Sequence, residues 1–129
     1  MSEKKIRGGS LIARALKDKG IQHVFTLSGG FCNPALEGFM ECQMEVINCP
    51  HEQIAGHIAD GHTRITRKPS VCIVGPEGFA NAVPSMMEAW GERSPVIFIT
   101  GSSSLKRQGA GGFKAVSYTH LTLPTTPYV

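Results

Sequence analysis

Short apolar runs alternate with segments of helical spacing along the first hundred residues of the chain. The runs at 23–27, 44–49, 71–74 and 96–100 predict strands, because they are rich in Val, Ile and Phe and are bounded by Gly, Pro or Ser. Apolar residues at helical spacing predict helices over about 10–19, 33–40, 52–66 and 81–90. The pattern is therefore strand and helix in strict alternation.

Several residues predict where the helices begin and end. Ser10 and Asn33 are expected to be N-caps, with Pro34 as the first residue of its helix. Gly20 occupies the place of a left-handed C-terminal cap. Pro84 is tolerable only in the first turn of its helix, where its missing N–H costs nothing.

This alternation predicts an α/β fold, an open doubly wound parallel sheet with helices on both faces, in three layers. The last two strands are continuous apolar runs, which is typical of strands buried on both faces. In such sheets ligands bind at the carboxyl ends of the strands. The turns expected there are Ser28-Gly29-Gly30, Pro50-His51-Glu52, Gly75-Pro76-Glu77-Gly78 and Gly101-Ser102-Ser103.

Composition places the chain among ordinary globular proteins. Its 129 residues suffice for one domain, with 41% hydrophobic residues, 18% charged residues and a net charge of +3. The basic residues are scattered without interleaved aromatic residues, so nucleic-acid binding is not expected. The four cysteines form no CxxC pair and are predicted to be reduced, mostly buried thiols. Neither a signal peptide nor a membrane span is expected, and a cytoplasmic location is predicted.

The last segment, residues 117–129, does not continue the alternation. It reads SYTHLTLPTTPYV, without a charge or a helical period. The sequence is similar to translated sequencing-adapter read-through, and a Thr/Pro-rich linker is the alternative. We therefore expect a partial domain over 1–116 and a non-native or unstructured tail over 117–129.

Glu52 is the strongest candidate for chemistry. It opens a predicted helix directly after a strand, and Ala55, Gly56 and Ala59 leave the same helix face almost bare. A carboxylate beside a bare face can be pressed against another surface and shut off from water, where it becomes a strong hydrogen-bond partner for a ring nitrogen. The alternative is that Glu52 only satisfies the dipole at the helix N-terminus.

A metal site at the same segment is not expected. His51 and His57 are six residues apart, so they lie about 240° apart around the helix, unlike the pair in HExxH. His62 returns to the face of His51 but lies about 16 Å further along the helix axis. The glycine turns also lack a GxGxxG fingerprint after a strand, so dinucleotide binding has no support.

Four segments, taken together and in order, resemble a known family. VFTLSGG, PHEQIAGHIADGHTRITRKPSVCIV, GPEGFANAV and SPVIFITGSSSL are similar to the N-terminal, pyrimidine-binding domain of thiamine-diphosphate-dependent enzymes such as acetolactate synthase, oxalyl-CoA decarboxylase and benzaldehyde lyase. The stretch from Ala80 to Leu105 is most similar to benzaldehyde lyase and its relatives. The resemblance covers residues 6 to about 116.

The resemblance implies a role for each matching position. Glu52 matches the glutamate that hydrogen-bonds the aminopyrimidine ring of thiamine diphosphate and shifts it toward the imino tautomer, which removes the thiazolium proton. The bare helix face fits an active site between two subunits, in a homodimer or homotetramer. Gly75, Pro76, Gly78 and Asn81 match the loop beside the pyrimidine. Residues implied to face a 2-keto acid or aldehyde substrate are Ser28, Gly29, Gly30, Phe31 and Lys114.

The sequence also departs from the family pattern. Ser28 and Phe31 stand where benzaldehyde lyase has histidines, Pro50 replaces a usual arginine, and Lys114 replaces a frequent glutamine. Glu77, inserted beside the ring site, is either a second buried acid or a solvent-facing turn residue, and we favour the latter. The diphosphate and its Mg²⁺ belong to a domain with a GDG…N motif that is absent here, and some relatives also keep FAD.

We therefore expect an inactive fragment of a carboligase, lyase or decarboxylase, which lacks the last strand and helix of its own domain. One alternative is a non-catalytic flavodoxin-like module that binds a nucleotide or acyl-CoA. Another is a regulatory subunit that pairs with a separate diphosphate-binding chain.

Overall fold

The computed structural model describes residues 6–107 and 109–111, and in this part the predicted alternation is confirmed. Strands and helices follow one another without exception from the first helix to the fourth strand. In chain order the elements are α1 Gly8–Asp18, β1 His23–Leu27, α2 Asn33–Glu41, β2 Glu45–Asn48, α3 Glu52–Thr66, β3 Ser70–Val74, α4 Phe79–Gly91, β4 Val96–Thr100 and a 3₁₀ turn Leu105–Arg107.

The four strands form one parallel sheet in the order β2-β1-β3-β4. One face of the sheet is covered by α1 and α2, whose Ala13, Leu36 and Phe39 pack with Val24 and Val71. The other face is covered by α3 and α4, whose buried residues pack with the alternate side chains of the strands. The fold is therefore the predicted three-layer, doubly wound α/β sheet.

Small residues let α1 approach α2 on one face and let α3 approach the sheet on the other. Gly9 of α1 and Gly38 of α2 meet backbone to backbone, since a Cβ built on Gly9 would lie 1.9 Å from the Pro34 carbonyl oxygen. On the other face Ala55 and Ala59 of α3 are completely buried against the sheet. Helices can approach this closely only where side chains are small, so these positions set the distance of α1 from α2 and of α3 from the sheet.

Of the predictions for the helix ends, the one for Gly20 is confirmed, and those for Ser10, Asn33 and Pro84 are wrong. Gly20 has φ +81 and follows the C-cap of α1. Ser10 is not an N-cap, because its hydroxyl donates to a carboxylate of Glu41 at 2.9 Å, across the α1–α2 contact, and α1 begins at Gly8. Asn33 is the first residue of α2, and Cys32 occupies the N-cap. Pro84 is the sixth residue of α4, because that helix begins directly after Gly78.

Burial of the strands differs from the prediction at one of them. β3 is buried along its whole length, as expected of a central strand. β4 is at an edge of the described sheet, and Ile97 is 40% exposed, so β4 is not buried on both faces. Apolar runs of this kind predict strands correctly but do not distinguish a central strand from an edge strand.

Candidate functional site

The carboxyl ends of β1 and β3 create a crevice at the edge of the sheet. The chain leaves β1 toward α2 on one face and leaves β3 toward α4 on the other face, while β1 and β3 are neighbours. This reversal is the switch point at which open α/β sheets bind ligands. The loops that border it are those after Leu27 and after Val74, as the sequence predicted.

Glu52 lies beside this crevice as the first residue of α3. The turn before it is fixed by His51, the N-cap residue, whose ring Nδ1 accepts the backbone N–H of Gln53 at 3.2 Å. The side chain of Glu52 is half-buried in the described chain. The helix dipole stabilises a carboxylate at this position, but it does not account for the contacts of the side chain.

Two residues at the start of α4 orient the Glu52 carboxylate. Asn81 Nδ2 donates to Glu52 Oε2 at 3.2 Å. The other oxygen, Oε1, lies over Gly78, where a built Cβ would be only 2.1 Å away. The structure thus brings together three of the predicted site residues, and the absence of a side chain at position 78 is what gives the carboxylate its room.

The turn between β3 and α4 is compact. Gly75 and Pro76 are buried, and the N–H of Gly78 donates to the carbonyl of Gly75 at 3.1 Å. Glu77 is exposed, which confirms the favoured reading of a solvent-facing turn residue. Its carboxylate stays near the turn, because a Cβ on Gly75 would lie 3.0 Å from Glu77 Oε2.

The loop after β1 lies at the same edge of the sheet. The N–H of Ser28 donates to Asn48 Oδ1 at 3.1 Å, which ties the loop to the end of β2. Phe31 is 37% exposed and abuts Gly101 after β4, where a built Cβ would lie 2.8 Å from Phe31 Cβ. Gly29 is half-buried and Gly30 is exposed. Lys114 lies outside the described residues, and its role stays a prediction.

The bare face of α3 packs against its own chain. The expectation that this face contacts a second subunit is therefore wrong. Gly56 is occupied by α4 of the same chain: a Cβ there would lie 1.9 Å from Ser85 Oγ and 3.1 Å from the Phe98 ring. Ala55 and Ala59 are fully buried in the same layer. The small residues therefore let α3 pack on α4 and the sheet, and this packing brings Glu52 next to Gly78.

The cysteines near the crevice are buried thiols, as predicted. Cys32, Cys49 and Cys72 are buried and Cys42 is half-buried, all of them free. Burial raises the pKa of Cys72 to about 12, with further contributions from Cys49, Cys32 and Glu52. Burial also raises the pKa of Cys32 and of Cys49. A thiol with a raised pKa is a poor nucleophile at neutral pH, so these cysteines act as core residues.

The described part of the chain shows neither a group of metal ligands nor a membrane-spanning helix. In residues 6–107 and 109–111, no three His, Cys, Asp or Glu side chains are grouped so that they could hold a metal ion. Within the same residues, none of the helices has both the length and the apolar character that crossing a bilayer requires.

Asn48, His51, Ser85 and Gly101 support the site. The sequence placed His51 and Gly101 in turns at this edge without giving them a role, and it did not single out Asn48 or Ser85. A polar side chain at the end of a strand, such as Asn48, is a usable signal, because strand ends meet at the crevice. His51 as an N-cap has no such signal, since histidine is not among the preferred N-cap residues.

Most of the chain matches one protein family. Residues 6–121 match the thiamine pyrophosphate enzyme family, in its N-terminal TPP binding domain. The chain belongs to this family. Over 125 residues it is 34% identical to the acetolactate synthase large subunit IlvG of Mycobacterium tuberculosis, and over 105 residues it is 34% identical to the sulfoacetaldehyde acetyltransferase of Roseovarius nubinhibens. These alignments take in 95% and 80% of this chain but only 23% and 17% of the two relatives.

Solved structures share the fold of this TPP-binding domain. A 4-hydroxybenzoylformate decarboxylase of Rhodococcus jostii RHA1 that depends on thiamine diphosphate superimposes with a TM-score of 0.76 at 21% identity. The match covers 83% of this chain and 20% of that one. A second structure, described as a thiamin diphosphate-dependent enzyme from Mycobacterium smegmatis, gives a TM-score of 0.76 at 22% identity, covering 88% and 22% of the two chains.

Proposed function

We propose that this domain binds the aminopyrimidine of thiamine diphosphate through Glu52, as part of a carboligase, lyase or decarboxylase that acts on 2-keto acids or aldehydes. Membership of the TPP-enzyme family supports the cofactor, and relatives that are acetolactate synthases support the class of reaction. The chain spans 17–23% of the relatives cited above, so the activity proposed is that of the whole protein.

The observation that carries the proposal is the arrangement of Glu52, Gly78 and Asn81 at the switch point. One carboxylate oxygen accepts from Asn81, and the other occupies the space that a side chain at position 78 would fill. Asn81 holds the carboxylate in one orientation, and the buried turn at Gly75, Pro76 and Gly78 forms a wall beside it. These residues fit a flat heterocycle with one basic ring nitrogen, because a single directed carboxyl is what such a ring requires.

When bound, the cofactor supplies carbanion chemistry that no side chain of the protein can perform. The domain would contribute orientation and a proton held at Oε1 of Glu52, the oxygen that Asn81 does not engage. The half-buried position of Glu52 limits the water that could compete for that proton, and packing by a second subunit or domain would complete its exclusion.

The loop of Ser28, Gly29, Gly30 and Phe31 is proposed to face the substrate, because it borders the same crevice. Lys114 keeps its proposed place beside the substrate on the family resemblance alone. The proposal has three further parts. A separate domain binds the diphosphate together with Mg²⁺, the whole protein is a homodimer or homotetramer, and its location is cytoplasmic. FAD is a further cofactor to test, and a flavin absorption spectrum of the purified whole protein would reveal it.

Glu52→Gln in the full-length protein tests the role of the acid. The change keeps the shape and the Asn81 contact but removes the titratable carboxyl, so exchange of the thiazolium C2 proton of bound cofactor for deuterium should slow by roughly 10²- to 10⁴-fold. Glu92→Gln is the matched control. Glu92 is an exposed carboxylate at the C-cap of α4, and its replacement should leave exchange unchanged.

Two results would contradict the proposal. Undiminished C2 exchange in Glu52→Gln would refute the acid role, and failure of the full-length protein to bind thiamine diphosphate would favour a non-catalytic binding module instead.

A further inference from the structure

A small cavity lies at the edge of the sheet opposite Glu52, where the strands begin. Its volume is about 90 Å³. His23 is the first residue of β1, and His62 and Lys68 lie at the end of α3 and in the turn before β3. We call this cavity the basal cleft, and it is lined by Gly20, Gln22, His23, His62, Thr66, Lys68 and Pro69.

The ring of His62 is held in a fixed position in this cleft. Its Nδ1 is 2.9 Å from Ser70 Oγ, and Ser70 Oγ is in turn 2.6 Å from Thr63 Oγ1. Ser70 and Thr63 are both buried, so the hydroxyl pair cannot turn to water instead. With Nδ1 engaged, Nε2 is the ring nitrogen that remains for a ligand.

Basic groups converge on the basal cleft. The rings of His23 and His62 are in contact, with centroids 4.6 Å apart, and His23 Nε2 is 3.3 Å from Glu45 Oε2. Burial lowers the pKa of His62, and the charges of His23 and Lys68 lower it further. Glu45 is 67% exposed, so its carboxylate is well hydrated and only weakly offsets positive charge at the cleft.

We propose that the basal cleft binds a small oxyanion, a phosphate- or carboxylate-type group, through His62, His23 and Lys68. An anion there relieves the mutual repulsion of the basic groups and accepts charge-assisted hydrogen bonds from them. The volume excludes a nucleotide or a cofactor, because pockets for such ligands measure about 300–1,000 Å³. Nothing in this proposal depends on the role of Glu52.

Protonation of His62 is coupled to binding of the anion. The groups that face His62 are His23 on β1, which is paired with Glu45 on β2, and Lys68 in the turn after α3. Without an anion His62 titrates below its ordinary value of 6.5. A bound anion favours the protonated ring, so affinity for the anion must rise as the pH falls from 7.5 to 5.5.

The test is an NMR titration that follows the imidazole resonances of the full-length protein. Sulfate is one probe, because its charge does not change over this pH range, and acetate is the other, with chloride at equal ionic strength as the blank. Sulfate should shift the His23 and His62 rings saturably at pH 5.5 and bind roughly tenfold more weakly at pH 7.5. Tighter binding of acetate would assign the cleft to carboxylates, and tighter binding of sulfate to phosphate-type groups.

Matched variants separate a site from general attraction. Lys68→Gln, at an exposed residue on the turn after α3, should weaken binding roughly tenfold, and His62→Gln should reduce the pH dependence. His57→Gln and Lys106→Gln change the same residue types elsewhere and should have no effect. Shifts no larger than those caused by chloride, or equal binding by Lys68→Gln and the unchanged chain, would overturn the proposal.

Discussion

Gly78→Ala is the most informative single change, because its predicted effect follows from one distance. A Cβ at position 78 would lie 2.1 Å from Oε1 of Glu52, whereas ordinary contact begins at 3.4 Å. Oε1 must therefore move by at least about 1.3 Å, and the Asn81 hydrogen bond to the same carboxylate must lengthen or break. Displacement of a catalytic group by about 1 Å can cost about 10²-fold in rate.

The fold should tolerate this change. Gly78 has φ −89 and ψ −6, which alanine adopts freely, and the atoms in its way belong to a flexible side chain. Alanine at this N-cap position should lower the free energy of unfolding by about 1 kcal/mol, a small part of the 5–15 kcal/mol typical of a domain. We therefore expect C2 exchange in the full-length protein to fall about 100-fold while urea unfolding changes little.

Two comparisons make the reasoning refutable. Gly61→Ala is the control, since a Cβ there meets nothing within 4 Å; it should leave exchange unchanged and stabilise α3 by about 0.5–1 kcal/mol. In a Glu52→Gln background, Gly78→Ala should add little further loss, because both changes act on one group. Full activity in Gly78→Ala, or an equal loss in both backgrounds, would show that Glu52 does not work from this position.

Three further outcomes follow from the same structure. Gly56→Ala should lower the free energy of unfolding in urea by about 1–3 kcal/mol, because its Cβ would lie 1.9 Å from Ser85 Oγ; an unchanged midpoint would mean that α3 and α4 are further apart. Asn81→Ala should slow C2 exchange about tenfold without loss of stability, since it removes one hydrogen bond to Glu52; an unaltered rate would exclude its positioning role. The pKa of Cys72, raised to about 12, means that the unfolded chain loses this proton first, so stability should fall above about pH 9 by up to ~1.4 kcal/mol per pH unit. Cys72→Ala should reduce that slope in urea unfolding at pH 8, 9 and 10, and equal slopes would contradict the assignment.

Much of the fold could be predicted because hydrophobic periodicity reports burial directly. The run from Val71 to Val74 is a central strand in the structure, and the period of α3 is read correctly from Glu52 to Thr66. The crevice also followed, because parallel strands place all their carboxyl ends at one edge. From the sequence alone, that rule places Glu52 and the Gly75–Gly78 turn at one edge of the sheet.

The helix N-caps and the partner of the bare face could not be predicted, for a common reason. Ser10 has a good N-cap side chain, but Glu41 on α2 offers it a partner that is 31 residues away in the sequence. Ala55 and Gly56 signal close packing, but not whether the partner belongs to the same chain or to another. Local sequence specifies what a residue can do, whereas tertiary contacts decide which of its options is used.

The most direct measurement is a crystal structure of the full-length protein with thiamine diphosphate bound. We predict that Glu52 Oε1 lies within about 2.6–3.2 Å of a ring nitrogen of the aminopyrimidine, with Asn81 still bonded to Oε2. A pyrimidine bound elsewhere, with the Glu52 carboxylate surrounded by bulk water, would contradict it.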